Sequence, residues 1–395
     1  MDARERVIKT INHEEPDRVP SYEGSIDNLK ILHHYGEKYG FDGLASLQNV
    51  MYYLSLGNLK FFNKMMQFLA KGKTAAKTAV EPAVNLYKKI GLDLVPITLC
   101  IHPLKYFKNG FISEFGHRFE YKENPSDKMH LVYYMGGSIK DFEEYLEFPL
   151  PDPDHPIREN FFKASVQLEN DYKGRVCCAP GITGMMEMTW EGFGLQNFSK
   201  LLVNRKHAKK VFDDRGNFSV EMVKRIIEWG GTGPILVFDD YGYKKGLFMS
   251  PRNYKEYVIP WLERICKTAH KGGLQVILHS CGDILPIFKD IINTGVDALH
   301  PIEPTTANPE YNIFKLHETY GDKLTFVGNV SPQDLSDKHP HEISEYVKKI
   351  FKHIAPGGGY ILSSGHSINP AVKLENFLAM RETLEKYGNY PIKIS

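Results

Sequence analysis

The sequence has few cysteines, and their number is odd. Five cysteines occur in 395 residues, which argues against the disulfide framework of a small secreted domain. Cys266 lies in WLERICKTAH, where the apolar residues have helical spacing, and is predicted to be a buried small side chain. Cys100, Cys177 and Cys178 end apparent strands without an evident partner, so a structural role is favoured for each.

The chain also lacks an excess of charge of either sign. Its 49 lysines and arginines balance 48 acidic residues, so the chain as a whole would attract neither nucleic acid nor anionic membranes. No apolar run approaches the roughly 18 residues of a membrane span, and the first residues lack the apolar core of a signal peptide. These absences predict a cytoplasmic protein that binds neither nucleic acid nor membrane.

What the sequence does contain is a repeated alternation of short β-rich runs and amphipathic helical stretches. The runs are DLVPITLC (93–100), GRVCCAP (174–180), PILVFDD (234–240), LQVILHSC (274–281), VDALHPIE (296–303), KLTFVGNV (323–330) and GYILSSG (359–365). Most are apolar on both faces, as expected for a parallel sheet buried on both sides. The pattern predicts an α/β fold, a (β/α)8 TIM barrel, although its eighth strand is not evident.

Two regions depart from this alternation. Residues 1–90 read as helices and are predicted to form an N-terminal helical cap, with the barrel as one unit over residues 91–395. Residues 111–137 alternate polar and apolar side chains around Asn124-Pro125-Ser126-Asp127, which predicts an antiparallel insertion.

The strongest chemical signal is the segment LQVILHSCGD. Side chains alternate along a strand, so His279 and Cys281 share one face and lie at the carboxyl end of the strand. Barrel enzymes place their catalytic groups at these ends, and an imidazole beside a thiolate is half of a zinc site. Taken alone, however, the H-x-C spacing fits a buried cysteine beside a hydrogen-bonded histidine better.

Other predicted strand ends carry polar groups that strengthen the zinc interpretation. These groups are Asp239, Asp240, His300, Glu303 and His366. Single acidic residues at such positions are often helix caps, but several at neighbouring strand ends predict a shared site. A catalytic zinc has three protein ligands and one open position.

Aromatic and methionine side chains lie close in sequence to these strand ends. They are Tyr241, Tyr243, Phe248, Met185, Met186 and Trp190. Such a lining suits a flat apolar substrate, and Tyr241, Tyr243, Met186 and Trp190 are the predicted substrate-binding residues. Simple core packing explains each of them equally well.

Across nearly its whole length the sequence resembles the uroporphyrinogen decarboxylase superfamily, which includes zinc-dependent corrinoid (cobalamin) methyltransferases. The resemblance is carried by RERVIKTINHEEPDRVP, LPDPDHP, PGITGMMEMTWEGFG, FDDYGYKKGLFMSPRNYKEYVIPWL, HSCGDILPIFKDIINTGVDALHPIEP, LHETYGDKLTFVGNV and GGGYILSSGHSINPAVKLENFLAM. The combination is specific to the superfamily, whereas no single segment is specific to one reaction.

Arginine content separates two branches of this superfamily. The decarboxylase grips a polycarboxylate through an arginine-bearing segment of the form MRQAGR, where this chain has SYEGSIDNL. No arginine lies between Arg18 and Arg118, and the chain has twelve arginines against thirty-seven lysines. Since a polycarboxylate needs arginine forks to offset its desolvation, the methyltransferase branch is favoured.

The resemblance implies three zinc ligands, of which His279 and Cys281 match the first two. The methyltransferases carry a later cysteine where this chain has His366, within GHSINP. Histidine is a competent zinc ligand, but the decarboxylase branch also carries histidine at this position. His366 is therefore the expected third ligand, with Glu303 or Asp239 as substitutes.

The implied activity is zinc-dependent transfer of a methyl group between a small methyl donor and a corrinoid held on a partner protein. An aryl methyl ether, and hence O-demethylation, is slightly favoured over methanol, and Asp240 or Glu303 would assist proton transfer. One alternative is a metal-free decarboxylase of a less anionic substrate, with His366, Asp239 and Asp240 as its polar site. Another is a noncatalytic corrinoid binder. The oligomeric state, for which a homodimer is one option, is left open.

Overall fold

The computed structural model of the chain describes residues 1–36, 44–125 and 130–394, with side chains from residue 50 onward in the helix that begins at residue 44. Numbered along the chain, the strands in these ranges are β1 (Leu94–Thr98), β2 (Pro103–Phe107), β3 (Gly110–Ser113), β4 (His117–Glu123), β5 (His130–Gly137), β6 (Cys177–Thr183), β7 (Ile235–Phe238), β8 (Gly242–Tyr243), β9 (Gly246–Leu247), β10 (Val276–His279), β11 (Ala298–His300), β12 (Thr325–Val330) and β13 (Tyr360–Ser364).

The helices in the same ranges are α1 (Ala3–Ile11), α2 (Leu29–His34), α3 (Leu44–Ser55), α4 (Leu59–Leu69), α5 (Lys73–Ile90), α6 (Phe142–Glu147), α7 (Pro156–Asp171), α8 (Met185–Phe193), α9 (Leu195–Leu201), α10 (Arg205–Glu228), α11 (Pro251–Tyr257), α12 (Ile259–Lys271), α13 (Phe288–Ile292), α14 (Ile313–Tyr320), α15 (Pro332–Asp337), α16 (Pro340–His353) and α17 (Leu374–Tyr387). None of these helices is both long and apolar enough to cross a membrane.

A parallel sheet of seven strands forms the centre of the molecule, in the order β1-β6-β7-β10-β11-β12-β13. The seven strands are those expected from the β-rich runs of the sequence. In the register of the sheet, His279 of β10 lies between Phe238 of β7 and His300 of β11. The sheet therefore brings the carboxyl ends of three consecutive strands together.

The eighth position of the barrel is filled by residues 20–22. Ser21 forms a parallel bridge to Leu362 of β13, and Tyr22 forms another to Leu94 of β1. Two backbone bonds flank these bridges, from Tyr22 N–H to the Leu362 carbonyl at 2.9 Å and from Leu94 N–H to the Ser21 carbonyl at 3.2 Å. The segment joins the two edges of the sheet, and the chain has a TIM-barrel-like fold.

The helices that pack on the outside of the sheet have an apolar stripe, in which buried residues recur with the helical period of 3.6 residues. In α16, for example, Ile343, Val347, Ile350 and Phe351 are buried, whereas most of the intervening Lys and Glu side chains face solvent. The helix also begins with a capping box, in which Glu342 accepts a hydrogen bond from the His339 N–H at 2.9 Å. The same stripe explains why these helices cover the sheet.

The expected antiparallel insertion is present as the sheet β2-β3-β4-β5, with every neighbouring pair antiparallel. It begins earlier than expected, at Pro103. Of the turn expected at residues 124–127, positions 126 and 127 lie outside the described residues.

Residues 1–90 contribute to both ends of the barrel. Ala3, Val7 and Ile11 of α1 are buried against inward-facing residues in the first halves of the strands, so α1 closes the amino-terminal end. Helix α5 instead lines the opposite end. The division into two units at residue 90 stays a prediction, and residues 20–22, within the expected cap, pair with the barrel strands.

Candidate active site

His279 projects into the barrel at the carboxyl end of β10. Ile277, two residues earlier, packs in the barrel interior with Leu236 and Ala298, and strand alternation directs His279 the same way. By the same alternation His300 points inward from the neighbouring β11, and the Nδ1 atoms of the two histidines lie 2.7 Å apart. The inward side of the sheet therefore carries a direct contact between two imidazoles.

Three potential metal ligands converge beside this pair. The Cys281 Sγ lies 3.5 Å from the His279 Nε2, and an Asp240 carboxylate oxygen lies 3.6 Å from the same nitrogen. All three ligand atoms fall within 4.8 Å of one another. Around a tetrahedral zinc, bonds of about 2.0–2.3 Å separate a nitrogen from a sulfur ligand by about 3.5 Å. The spacing and the mixed N, S and O donors therefore fit zinc.

Burial shifts the pKa values of the two predicted ligands, His279 and Cys281, in opposite directions. Burial lowers the pKa of His279, although Asp240 partly opposes this effect, so the imidazole is held in the neutral form that binds metals. Burial and the Asp240 charge raise the pKa of the Cys281 thiol well above its ordinary value. A thiolate at this position would therefore require a cation beside it.

A tight turn holds Cys281 in position. The Cys281 N–H donates to Asp240 at 2.7 Å, and the Gly282 N–H donates to Glu303 at 2.8 Å. Gly282 has φ +83°, and a Cβ at this residue would lie 2.2 Å from the carbonyl carbon of Gly242. Only glycine combines this left-handed backbone with so close an approach.

A cavity of about 430 Å³ opens beside the three ligands. It is lined by Gly24, Ser25, Ile26, Ala83, Leu86, Tyr87, Pro96, Thr98, Ile101, Glu187, Phe238, Asp240 and His279. Its volume is within the range of small-molecule sites. The cavity lies between α5, the 24–26 segment and the carboxyl ends of β1, β7 and β10.

His366, the expected third ligand, is not part of this group of ligand atoms. Its side chain is exposed, and its Nδ1 lies 3.0 Å from the Ser367 hydroxyl. It remains near enough to affect the pKa of His279, which it lowers. Among the described residues, Asp240 is the one that the structure places with His279 and Cys281.

The other predicted acidic groups have structural partners. Asp239 is fully buried and accepts a hydrogen bond from the Glu187 N–H at 2.7 Å, which caps the first turn of α8. Burial raises the pKa of Asp239 to about 8. Besides Gly282, Glu303 accepts a bond from the Thr305 hydroxyl at 2.6 Å. Both of its oxygens are therefore engaged in holding the turn, and a role in proton transfer stays a prediction.

The predicted substrate-binding residues lie away from the cavity walls. Met186 and Tyr241 are fully buried in the main core, with Met185. Trp190 stacks on Phe248 with ring centroids 5.0 Å apart, and Tyr243 also stacks on Phe248, at 5.9 Å. Their role in binding substrate stays a prediction.

Sequence reasoning missed most of the residues that line the cavity. Ile26, Leu86 and Tyr87 come from the predicted cap, and Glu187 comes from α8. One available signal was the segment SYEGSIDNL, which contains Gly24, Ser25 and Ile26 and occupies the position of the substrate-binding segment of the decarboxylases. For α5 no sequence signal showed which end of the barrel it would cover.

Comparisons with known proteins agree with this architecture. Uroporphyrinogen decarboxylase of Idiomarina loihiensis is 27% identical over 207 residues, which are 50% of this chain and 54% of that protein. The decarboxylase of Pseudomonas fluorescens is 25% identical over 252 residues, which are 60% of this chain and 66% of that protein. The chain thus spans about half to two thirds of the length of these curated relatives.

A solved structure shares the fold over the whole chain. A methyltransferase from Methanosarcina mazei superposes with a TM-score of 0.68 at 18% identity, covering 98% of this chain and 99% of the other. Residues 130–387, more than half of the sequence, match the sequence model of the uroporphyrinogen decarboxylase (URO-D) family. The chain therefore belongs to the uroporphyrinogen decarboxylase family.

Proposed function

We propose that the chain is a zinc-dependent methyltransferase that moves a methyl group between a small donor and a corrinoid on a partner protein. The observation that supports this proposal is the convergence of Asp240, His279 and Cys281 at the wall of a cavity. Zinc held by these residues would act as a Lewis acid on a donor oxygen or thiol, and the corrinoid would accept or supply the methyl group.

The side chains of the site have distinct roles in this proposal. His279 and Cys281 are the nitrogen and sulfur ligands, and Asp240 is the third ligand. Asp240 also accepts the Cys281 N–H bond, which fixes the position of the ligand loop. The cavity walls hold the methyl donor and exclude water. Glu187 lines the same cavity and is the carboxyl group placed to exchange a proton with the leaving group.

The test combines metal analysis with a methyl-transfer assay. We expect about one zinc per chain after purification from zinc-replete medium, since three protein ligands form a catalytic zinc site. The zinc-loaded protein should convert chemically reduced cobalamin to its methylated form in the presence of an aryl methyl ether, which the absorbance spectrum reports. Less than about a tenth of a zinc per chain would overturn the proposal.

A second candidate is a metal-free decarboxylase. It is supported by the names of the curated relatives, which are uroporphyrinogen decarboxylases. Under this alternative, His279→Ala and Cys281→Ala would leave the rate of decarboxylation nearly unchanged. If the chain is a zinc-dependent methyltransferase, the same variants would abolish methyl transfer. The same two variants therefore distinguish the candidates.

A further inference from the structure

The cavity beside the metal ligands is apolar over most of its surface. Aliphatic and aromatic side chains from four parts of the chain form its walls, namely Ile26, Ala83, Leu86, Tyr87, Pro96, Ile101 and Phe238. Ile26, Leu86 and Tyr87 are almost completely buried, so their positions are set by packing. Such walls favour a ligand with an apolar, flat body.

The polar part of the cavity carries no cationic side chain. Its ionisable lining residues are Tyr87, Glu187, Asp240 and His279, and neither lysine nor arginine is among the lining residues. A carboxyl group offers no positive charge to a bound anion, whether it is ionised or protonated. The Tyr87 hydroxyl donates to the Glu23 carbonyl at 2.8 Å and is already engaged.

His366, the histidine near His279, does not change this balance. It is exposed and lies outside the cavity lining. Burial raises the pKa of the neighbouring Asp27, and the Ser25 hydrogen bond and His366 partly oppose this effect. An anion inside the cavity would therefore face Asp240 and Glu187 without a lysine or arginine among the described lining residues.

We propose that this cavity selects methyl donors by charge, taking uncharged methoxyarenes and rejecting those that carry a carboxylate. The proposal rests on the function proposed above, and it specifies the substrate class of that site. Moving a carboxylate out of water is costly unless a cation or several hydrogen-bond donors replace its hydration. An uncharged methoxyarene has no such cost and fits the apolar walls.

The test uses two ligands of the same shape and different charge, 3-methoxyphenol and 3-methoxybenzoate, at pH 7. Their dissociation constants are measured by equilibrium dialysis against the zinc-loaded and the metal-free protein. We expect 3-methoxyphenol to bind at least about 30-fold more tightly than 3-methoxybenzoate to the metal-free protein, because no lysine or arginine of the lining replaces the hydration of the carboxylate. Equal or tighter binding of 3-methoxybenzoate, or failure of both ligands to bind, would overturn the inference.

A variant that is expected to gain affinity avoids a difficulty of loss-of-function tests, since a misfolded protein cannot bind more tightly. Ala83 lies within α5 and lines the cavity, so Ala83→Lys adds a cation on a helix that already contains several lysines. We expect Ala83→Lys to improve binding of 3-methoxybenzoate about tenfold, while the uncharged control Ala83→Met leaves it weak. No improvement over Ala83→Met would contradict charge selection.

The outcomes for the two proposals are separable. A protein that binds no zinc contradicts the proposed methyltransferase, while the ratio of the two dissociation constants in the metal-free protein still decides whether charge selection holds. Conversely, a zinc-loaded enzyme that binds 3-methoxybenzoate preferentially keeps its proposed activity and loses the inferred substrate class.

Discussion

His279 and His300 contact each other through their Nδ1 atoms, 2.7 Å apart, and this contact determines which nitrogen of His279 is available to a metal. One Nδ1 must carry a proton and the other must accept it. If the His279 Nδ1 donates, its Nε2 is unprotonated and faces Cys281 and Asp240. His300 then carries its proton on Nε2, which lies 3.3 Å from the Ser363 hydroxyl.

The first prediction concerns His300, whose Nδ1 accepts the hydrogen bond from the His279 Nδ1–H. His300→Ala removes the partner of the His279 Nδ1–H, and we expect zinc affinity to fall about 10–100-fold, as when outer partners of ligand histidines are removed elsewhere. His300→Asn retains an oxygen acceptor near the position of Nδ1 and should recover most of the affinity. Competition with a chromophoric zinc chelator measures both variants. Equal affinities of His300→Ala and the unmodified protein would show that the contact does not orient the ligand.

A second prediction distinguishes Asp240 from His366 as the third ligand. Asp240→Asn removes an anionic donor within the converging group, so zinc binding should weaken at least about tenfold. His366→Ala removes an exposed ring outside that group and should leave the bound zinc unchanged. Zinc content after dialysis against a weak chelator provides the measurement. Loss of zinc from His366→Ala with retention in Asp240→Asn would restore the expectation from the sequence.

The third prediction compares two glycines that have similar backbone angles. Gly273 has φ +76° with open space at its Cβ position, whereas Gly282 has φ +83° and would place its Cβ against Gly242. Gly273→Ala should cost about 1–2 kcal/mol of unfolding free energy from the left-handed backbone alone. Gly282→Ala should cost more than about 3 kcal/mol, because the turn must also move. Urea denaturation measures the unfolding free energy of both variants. An equal loss of unfolding free energy in the two variants would contradict the close approach of Gly282 to Gly242.

A fourth prediction follows from Glu23, which is buried beside Ser364. The Ser364 hydroxyl contacts both a Glu23 carboxyl oxygen and the His366 carbonyl. The Ser364 N–H also donates to the Glu23 carboxyl group, at 3.2 Å. Burial raises the pKa of Glu23 from 4.5 to about 8, although the hydrogen bonds that Ser364 donates to the carboxyl group partly oppose this effect.

The sign of the pH dependence of the unfolding free energy follows from the pKa of Glu23 in the folded and in the unfolded chain. The unfolded chain releases this proton near its ordinary pKa of 4.5, while the folded chain keeps it to about 8. Since the folded state binds more protons within this window, Glu23 makes the unfolding free energy fall as pH rises from about 4.5 to 8. Glu23→Gln, which mimics the protonated acid, should remove this component.

Urea midpoints at pH 6, 7 and 8, each about one unit apart, provide the test. The difference between Glu23→Gln and the unmodified protein should grow with pH, whereas the exposed control Glu143→Gln should show no such trend. A constant difference across the three values would mean that Glu23 is ionised in the folded protein.

Much of the barrel could be predicted from the sequence because its strands are apolar runs separated by amphipathic helices. The segment at residues 20–22 escaped prediction because only isolated bridges hold it, and three residues show no periodicity. The antiparallel insertion was found because alternation extends over the four- to eight-residue strands β3, β4 and β5. Its first strand, β2, is mostly exposed and lacks that signal.

The candidate site was likewise predicted only in part from the sequence. Alternation predicted that His279 and Cys281 share one face, and in the structure the His279 Nε2 and the Cys281 Sγ lie 3.5 Å apart. Phe238 and Asp240 both line the cavity from the end of β7. His366 follows β13 in a loop, and Tyr243 lies in the two-residue strand β8, so no period determines the direction of either side chain. The residues of α5 line the cavity only because the chain folds back over the barrel mouth, which is information that local sequence does not contain.

The pairing of Ser21 with Leu362 has a consequence for the order of events during synthesis. Glu23 and Ser364, which flank the same junction, are separated by 341 residues. The segment at residues 20–22 therefore has no strand partner on the β13 side until Leu362 has been synthesised. Contacts of such high sequence separation form slowly, because loop closure must precede them. Closure of this barrel is thus a late event in folding, and its exposed strand edges are what a chaperone would need to shield in the meantime.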